Sequence, residues 1–399
     1  MNTSFRFYSR HVFIIGSLFL VFVAIFSYIV DPFSLYGRIY NKGDLEVNGH
    51  GFAKHLLMAH PYRVKRQKPE ILLMGSSRVA FGFKYDAENN KFASNKVYNL
   101  GLLGVTEYEL LRYLQHATAV TQLKQVIIGV DFFQFHAGLE PKIEFEEKRL
   151  AVDANNQPNP LFTRDYLPTL LSIDSAVESV KEVFDLGKDK DIYLVSGFKL
   201  DAFHGGDLSS FKGIERDYVE RVYKDFTFEK KEIKTLDYFR DIIEFCYENN
   251  IDLRLFISPA HARQWEVINA MGLWSDWELW KRKMVEISEE TAMKQHKKPF
   301  QLVDFSGYSL YSTEPVPREA GKAVKWYRDT AHFLPSLGDI ILDQLFGNVT
   351  SEVNCKEQFG ILISSKNINE HLQCINQEHG QYVRTHPQDI KDIEALITH

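Results

Sequence analysis

Two short stretches of this chain carry residue types suited to acyl-transfer chemistry. Gly75-Ser76-Ser77-Arg78 offers two hydroxyls, and Asp329-Thr330-Ala331-His332 offers a carboxylate and an imidazole three residues apart. Acyl transfer needs a nucleophilic hydroxyl, a base for its proton, a group that orients the base, and donors for the oxyanion. A carboxylate and an imidazole from one turn can sit together, with the carboxylate fixing the ring's tautomer. The residues leave several choices open. Either Ser77 or Ser76 can be the nucleophile. His261 is a second base, or a residue lining the substrate cleft, because Ser258-Pro259-Ala260-His261 also follows a strand pattern. Arg78 can bind a substrate carboxylate or phosphate bidentately, or pair with Asp131. Trp274, Trp277 and Trp280 can stack on sugar rings, or they can be core at helical spacing.

These residues need a scaffold, and the pattern supplies one. Residues 71–74 form a short apolar run that ends in small residues, which reads as a buried strand and a tight turn. In open α/β sheets ligands bind beyond the carboxyl ends of strands, which is where the serines fall. Residues 96–100 form a second strand, running into a Gly-rich turn. Thr106 with Glu109 makes a capping-box pattern, and Leu110, Leu111 and Leu114 mark the buried face of the helix that follows. Residues 125–131, 251–258 and 300–304 are further strands. Residues 229–247, a Trp-rich stretch to about 293, and 335–346 are helices. This alternation predicts an α/β fold with a parallel sheet and right-handed crossovers. Residues 136–228 break the rhythm, with one good helix over 172–184, and read as an insertion forming a lid or partner surface.

Residues 12–30 are almost wholly apolar and would span about 28 Å as a helix, close to the thickness of a bilayer core. Arg6 and Arg10 precede the segment and Asp31 follows it. The charge asymmetry predicts an N-terminus in the cytoplasm and the main domain outside, and the lack of a small-residue cleavage site in Ser27-Tyr28-Ile29-Val30 favours an uncleaved anchor over the rival reading, a cleaved signal peptide. The chain thus divides into an anchor (1–31), a juxtamembrane linker (32–69), a sheet domain (70–346) and a weakly packed polar tail (347–399). The 399 residues are 45% hydrophobic and carry a net charge of −6, which gives no nucleic-acid footprint. His50, His55 and His60 recur every five residues, which spreads them round a helix, so they read as surface groups. No His/Asp/Glu cluster has ligand spacing, so no metal or cofactor is expected. Cys246 sits in an apolar helical pattern and reads as buried. Cys355 and Cys374 can pair in an oxidising compartment.

The order of Gly75-Ser76-Ser77-Arg78, Asn99 with Gly104, and Asp329-Thr330-Ala331-His332 resembles blocks one, two and five of the SGNH/GDSL hydrolases. The chain looks most like their membrane-anchored branch, with the alginate O-acetyltransferase-like proteins and the D-alanyl transfer protein of lipoteichoic acid. The resemblance implies a flavodoxin-like parallel sheet with helices on both faces. It implies Ser77 as nucleophile, His332 as base, Asp329 as orienting group, and Gly104 as an oxyanion donor with the Ser77 N–H. The block-three Asn is missing, since residues 129–134 read Gly-Val-Asp-Phe-Phe-Gln. Asn99 or Gln134 then supplies the third donor, or two suffice; one lost donor costs about 3–4 kcal/mol of transition-state stabilisation. The implied function is acyl transfer to, or ester hydrolysis of, O-acyl groups on an envelope or exported polysaccharide. A multi-spanning acyltransferase is the implied partner, at the cytoplasmic (inner) membrane. A non-catalytic glycan-binding or assembly role is the alternative.

Overall fold

A computed structural model describes residues 3–397, apart from 43–44, 50, 85–91, 93–95, 163, 165, 185, 187–191, 201–203, 320, 348 and 356–357. The chain forms two units: Met1–Gln67 with Ile143–Val195, and Lys68–Lys142 with Ser196–His399.

The first unit opens with helix α1 (Thr3–Val30), whose segment Phe7–Val30 has a mean hydropathy of 2.7 and is long and apolar enough to cross a membrane. The helix stops at Asp31, which adopts a left-handed φ of 49°. The Asp31 carboxylate accepts the N–H groups of Leu35, Tyr36, Gly37 and Arg38. Burial still pushes its pKa up to about 6. The Arg38 guanidinium donates to the Ile29 carbonyl at 2.6 Å, and the Tyr40 hydroxyl donates to that of Val30. Carbonyls that a helix end leaves without partners are thus satisfied. A hairpin of β1 (Tyr40–Lys42) and β2 (Leu45–Val47) follows, then α2 (Leu56–Gln67). Residues 32–69 are therefore not a loose linker. His60 is fully buried and held neutral, its pKa lowered to about 3 by burial, and His55 is half-buried, which corrects their reading as surface groups. His50 lies outside the described residues.

The second unit starts with β3 (Ile71–Gly75), α3 (Ser77–Gly82), β4 (Val97–Gly101), α4 (Glu107–Val120) and β5 (Gln125–Val130). The capping box at Thr106 forms as its spacing predicts. The chain then returns to the first unit for α5 (Tyr166–Leu170) and α6 (Ile173–Val183). Asn48 donates to the Leu194 carbonyl at 2.8 Å and tethers this return within that unit. The stretch 136–228 is therefore shared between the units, which corrects the single insertion. Its remainder carries α7 (Leu208–Asp217), a helix capped by Asp207 that sparse apolar positions hid from sequence reading.

A two-stranded ribbon of β6 (Glu229–Lys230) and β7 (Ile233–Lys234) precedes α8 (Thr235–Glu248), so that helix starts later than its periodicity predicts. The rest is β8 (Asp252–Ile257), α9 (Ala262–Ala270), α10 (Trp274–Lys294), β9 (Gln301–Asp304), α11 (Pro335–Phe346), β10 (Ile361–Leu362), α12 (Ile368–Thr385) and α13 (Pro387–Ile397). The six-stranded sheet has the order β10-β9-β8-β5-β3-β4, parallel throughout except for β10. Leu73, Ile127, Phe256 and Val303 lie within its core, and burial of each such side chain contributes about 1.5–3 kcal/mol. Helices flank it: α4, α8 and α10 pack side by side, and α3 packs on β4 and α11.

The tail is ordered, against the expectation of weak packing. Ile368, Leu372 and Ile375 of α12 point inward, a disulfide joins Cys355 to Cys374, and Arg263 reaches Asp389 of α13 at 2.8 Å. The tail reads as polar because each helix keeps a solvated face. Trp277 and Trp280 are fully buried, so they are core and not a sugar platform; Trp274 donates to Asn376 at 2.8 Å. Cys246 is buried as its helical setting suggests.

Candidate active site

The chain order of the parallel strands moves outward from β3 in two directions, to β4 on one side and to β5 on the other. Loops leaving β3 and β5 diverge there, and the crevice between such loops is where open α/β sheets bind ligands. Ser76 and Ser77 follow β3, and Asp131 follows β5.

Gly75 makes this approach possible. Its φ is +149°, and a Cβ there would lie 2.5 Å from Val79 Cγ2 and 2.7 Å from the Gly129 carbonyl oxygen. Only glycine lets the chain turn so close to β5. Ser76 caps α3, its Oγ accepting the Arg78 N–H at 3.2 Å while its hydroxyl donates to Asp131. It is fully buried, so Ser76 is excluded as a nucleophile: its hydroxyl is spent on a structural bond. The Arg78 guanidinium donates to Asp131 Oδ1 at 3.0 Å and to the Tyr218 hydroxyl at 3.4 Å. Arg78 is 3% exposed, so the ion-pair reading holds and the substrate-binding reading is corrected. Asp131 thus grips the residues on both sides of Ser77.

Ser77 is left half-buried with its Oγ 2.8 Å from His332 Nε2. His332 Nδ1 lies 2.9 and 2.8 Å from the two Asp329 oxygens. Local structure sets the second contact. Arg328 N–H donates to the His332 carbonyl and Leu334 N–H to that of Trp326, pinching residues 326–334 into a tight loop. At its tip Asp329 Oδ1 accepts the N–H groups of Ala331 and His332 at 2.8 and 3.0 Å. Burial opposes the Asp329 charge, but the His332 imidazole and these two donors outweigh it and hold the carboxyl below its ordinary range. The Phe81 ring meets the His332 ring edge-on at 5.0 Å.

No family model matches this chain, and no curated protein matches it.

A serine hydroxyl, an imidazole and a buried carboxylate are joined in series, with the ring nitrogens facing opposite partners. The carboxylate favours a proton on Nδ1, leaving Nε2 as the acceptor for the serine proton. Other sequence candidates fall away. Both hydrogens of the Asn99 amide are committed, to the carbonyls of Val79 (3.0 Å) and Phe83 (2.8 Å), so it does not serve an oxyanion. The Gln134 Oε1 accepts the Asp131 N–H at 2.9 Å, while its Nε2, the group that could donate, is fully buried with no hydrogen-bond partner among the described residues. His261 is buried, caps α9 and contacts the Glu314 carbonyl at 2.7 Å; burial lowers its pKa to about 4. It is neither base nor cleft residue. Gly104 stands in the turn after β4 with a φ of +63°. Among the described residues no group of three or more His, Cys, Asp or Glu is disposed to hold a metal ion.

Two neighbours escaped the sequence reading. Tyr218 reaches Arg78 across 140 residues, and no local pattern signals that. Glu107 opens α4 fully buried with neither carboxylate oxygen hydrogen-bonded, and burial, then the nearby Asp131 charge, pushes its pKa up to about 8. An acidic residue in the first turn of a helix is ordinarily a solvated partner of the helix dipole, so no local pattern signals this burial.

Proposed function

We propose that this protein is a membrane-anchored serine acyltransferase or esterase of SGNH type. The observation that carries the reading is the Ser77–His332–Asp329 series of contacts. Ser77 Oγ attacks the acyl carbonyl while His332 Nε2 takes its proton, and Asp329 stabilises the imidazolium. The backbone N–H groups of Ser77 and Gly104 hold the oxyanion. Collapse expels the alcohol with the proton from His332, leaving an acyl ester on Ser77. Water or a glycan hydroxyl, deprotonated by His332, then takes the acyl group. The parallel-strand order β4-β3-β5-β8-β9 supports a flavodoxin-like sheet, since it is the 2-1-3-4-5 order of that class. Arg10 near the N-terminal end of α1 and Asp31 just after it support a cytoplasmic N-terminus, with the sheet unit outside the cytoplasmic membrane. The proposed substrate is an O-acyl, and in particular acetyl, group of an envelope or exported polysaccharide. A multi-spanning acyltransferase is the proposed donor-side partner.

A second reading is a non-catalytic glycan-binding or assembly component. The commitment of the Asn99 amide to α3 favours it, because a third side-chain oxyanion donor is then missing. One experiment separates the two. Wild type, Ser77→Ala and His332→Ala are incubated with p-nitrophenyl acetate and examined by intact mass. Turnover or an acetyl adduct that requires both residues supports the enzyme. No turnover and no adduct in wild type supports the binding role.

A further inference from the structure

Helix α6 wears its amphipathic pattern inside out. Within the first unit its buried residues are Ser175, Glu178 and Ser179. The opposite face carries Ile173, Val177, Val180, Val183 and the C-cap Phe184, with Ile173 81% and Phe184 69% exposed. At 3.6 residues per turn these five fall in a stripe about 120° wide, the width that normally faces a protein core. On α5 the same inversion recurs: Thr169 is buried and Leu167 is exposed. On the inward side of α6, Glu178 accepts from Lys54 at 2.6 Å and from Lys181 at 2.8 Å.

The neighbour of this pair indicates what covers the stripe. Both α5 and α6 pack against α1. Among its described side chains α1 is fully exposed from residue 7 to 22, and its shielded residues Val23, Ala24, Phe26, Ser27 and Val30 lie in its last turns. The α5–α6 pair therefore meets the C-terminal end of the membrane-length helix, and its apolar face continues the exposed apolar surface of α1. We infer that α5 and α6 lie in the boundary between headgroups and acyl chains of a phospholipid bilayer, apolar face to the lipid. Amphipathic helices with this division of faces partition there. The inference rests on the reading of α1 as a membrane anchor; it does not depend on the chemistry of Ser77.

The test uses the full chain in phosphatidylethanolamine–phosphatidylglycerol vesicles. Cys246 is buried and the other two cysteines are joined, so a single added cysteine takes a fluorescent label. Labels are placed through Val177→Cys, Val180→Cys, Asp174→Cys on the exposed polar side, and Phe19→Cys in α1. Lipids carrying a nitroxide high or low on the acyl chain serve as quenchers. The labels at 177 and 180 are expected to be quenched about twofold or more beyond the label at 174, and most by the shallow nitroxide. The label at 19 is expected to respond to the deep one. Quenching at 19 with none at 177 and 180 overturns the inference while sparing the anchor; cross-linking between copies through 177 then identifies a second chain as the cover. Absence of quenching at 19 overturns both. Turnover of p-nitrophenyl acetate by the same samples reports on the enzyme reading separately.

Discussion

The carboxylate of Asp131 is the most consequential single group to remove. It accepts from Arg78 at 3.0 Å and from the Ser76 hydroxyl, with side-chain exposures of 4% for Arg78 and 0% for Asp131. Asp131→Ala strands the guanidinium with only the longer bond to Tyr218 at 3.4 Å. Removing one partner of a buried pair costs about 3–5 kcal/mol. The Ser76 hydroxyl loses its acceptor as well, worth about 1 kcal/mol. A loss of about 4–6 kcal/mol is a large part of the 5–15 kcal/mol typical of a folded domain. All five tryptophans lie in the unit that holds the sheet, so their fluorescence follows its unfolding. The urea midpoint should fall by about 1–2 M in Asp131→Ala. Pairing Asp131→Leu with Arg78→Met removes both charges and should recover most of that loss. Because Asp131 grips both neighbours of Ser77, Asp131→Ala should also slow p-nitrophenyl acetate turnover well below its unfolding midpoint. A shift worth less than 1 kcal/mol, or a double variant no better than the single, would refute the buried-pair account.

Three other outcomes follow from the same structure. Asp329→Asn preserves shape but lets the ring hold the wrong tautomer, so acetyl ester turnover should drop about 10⁴-fold with the chain still folded by circular dichroism. Glu107, raised from 4.5 to about 8, binds a proton when folded that it lacks when unfolded across that interval. Its contribution to stability is therefore intact below about pH 4.5 and declines as pH rises to 8, by at most about 1.4 kcal/mol per unit. Glu107→Gln should flatten that decline, so its urea midpoint should exceed wild type at pH 8 and match it at pH 5. Cys374→Ser opens a loop closed over a separation of 19 residues, and the tail helices should lose about 3 kcal/mol, read as earlier proteolysis of α12 and α13.

The sequence by itself determined what depends on neighbours in the chain. Apolar runs marked all five parallel strands to within a residue or two, because a strand's burial is written in consecutive positions. Thr106 and Glu109 marked the start of α4, because a capping box closes over four residues. The length and apolarity of α1 were equally plain, and Asp329 and His332 come together within one loop. Tertiary structure alone decided what depends on distant partners. Ser77 and not Ser76 meets His332, across 255 residues, because Asp131 claims the hydroxyl of Ser76. Asn99 lost its candidate role to the carbonyls of Val79 in α3 and of Phe83 just after it. His60 was buried against Phe52, and His261 against Phe211 and Tyr327, by packing that their own spacing does not reveal, and residues 143–195 joined the N-terminal segment by contacts with no local signature. Periodicity reports which side of an element is apolar, but not what solvent that side meets. Only the packing of α6, serines inward and valines outward beside α1, supplies that answer.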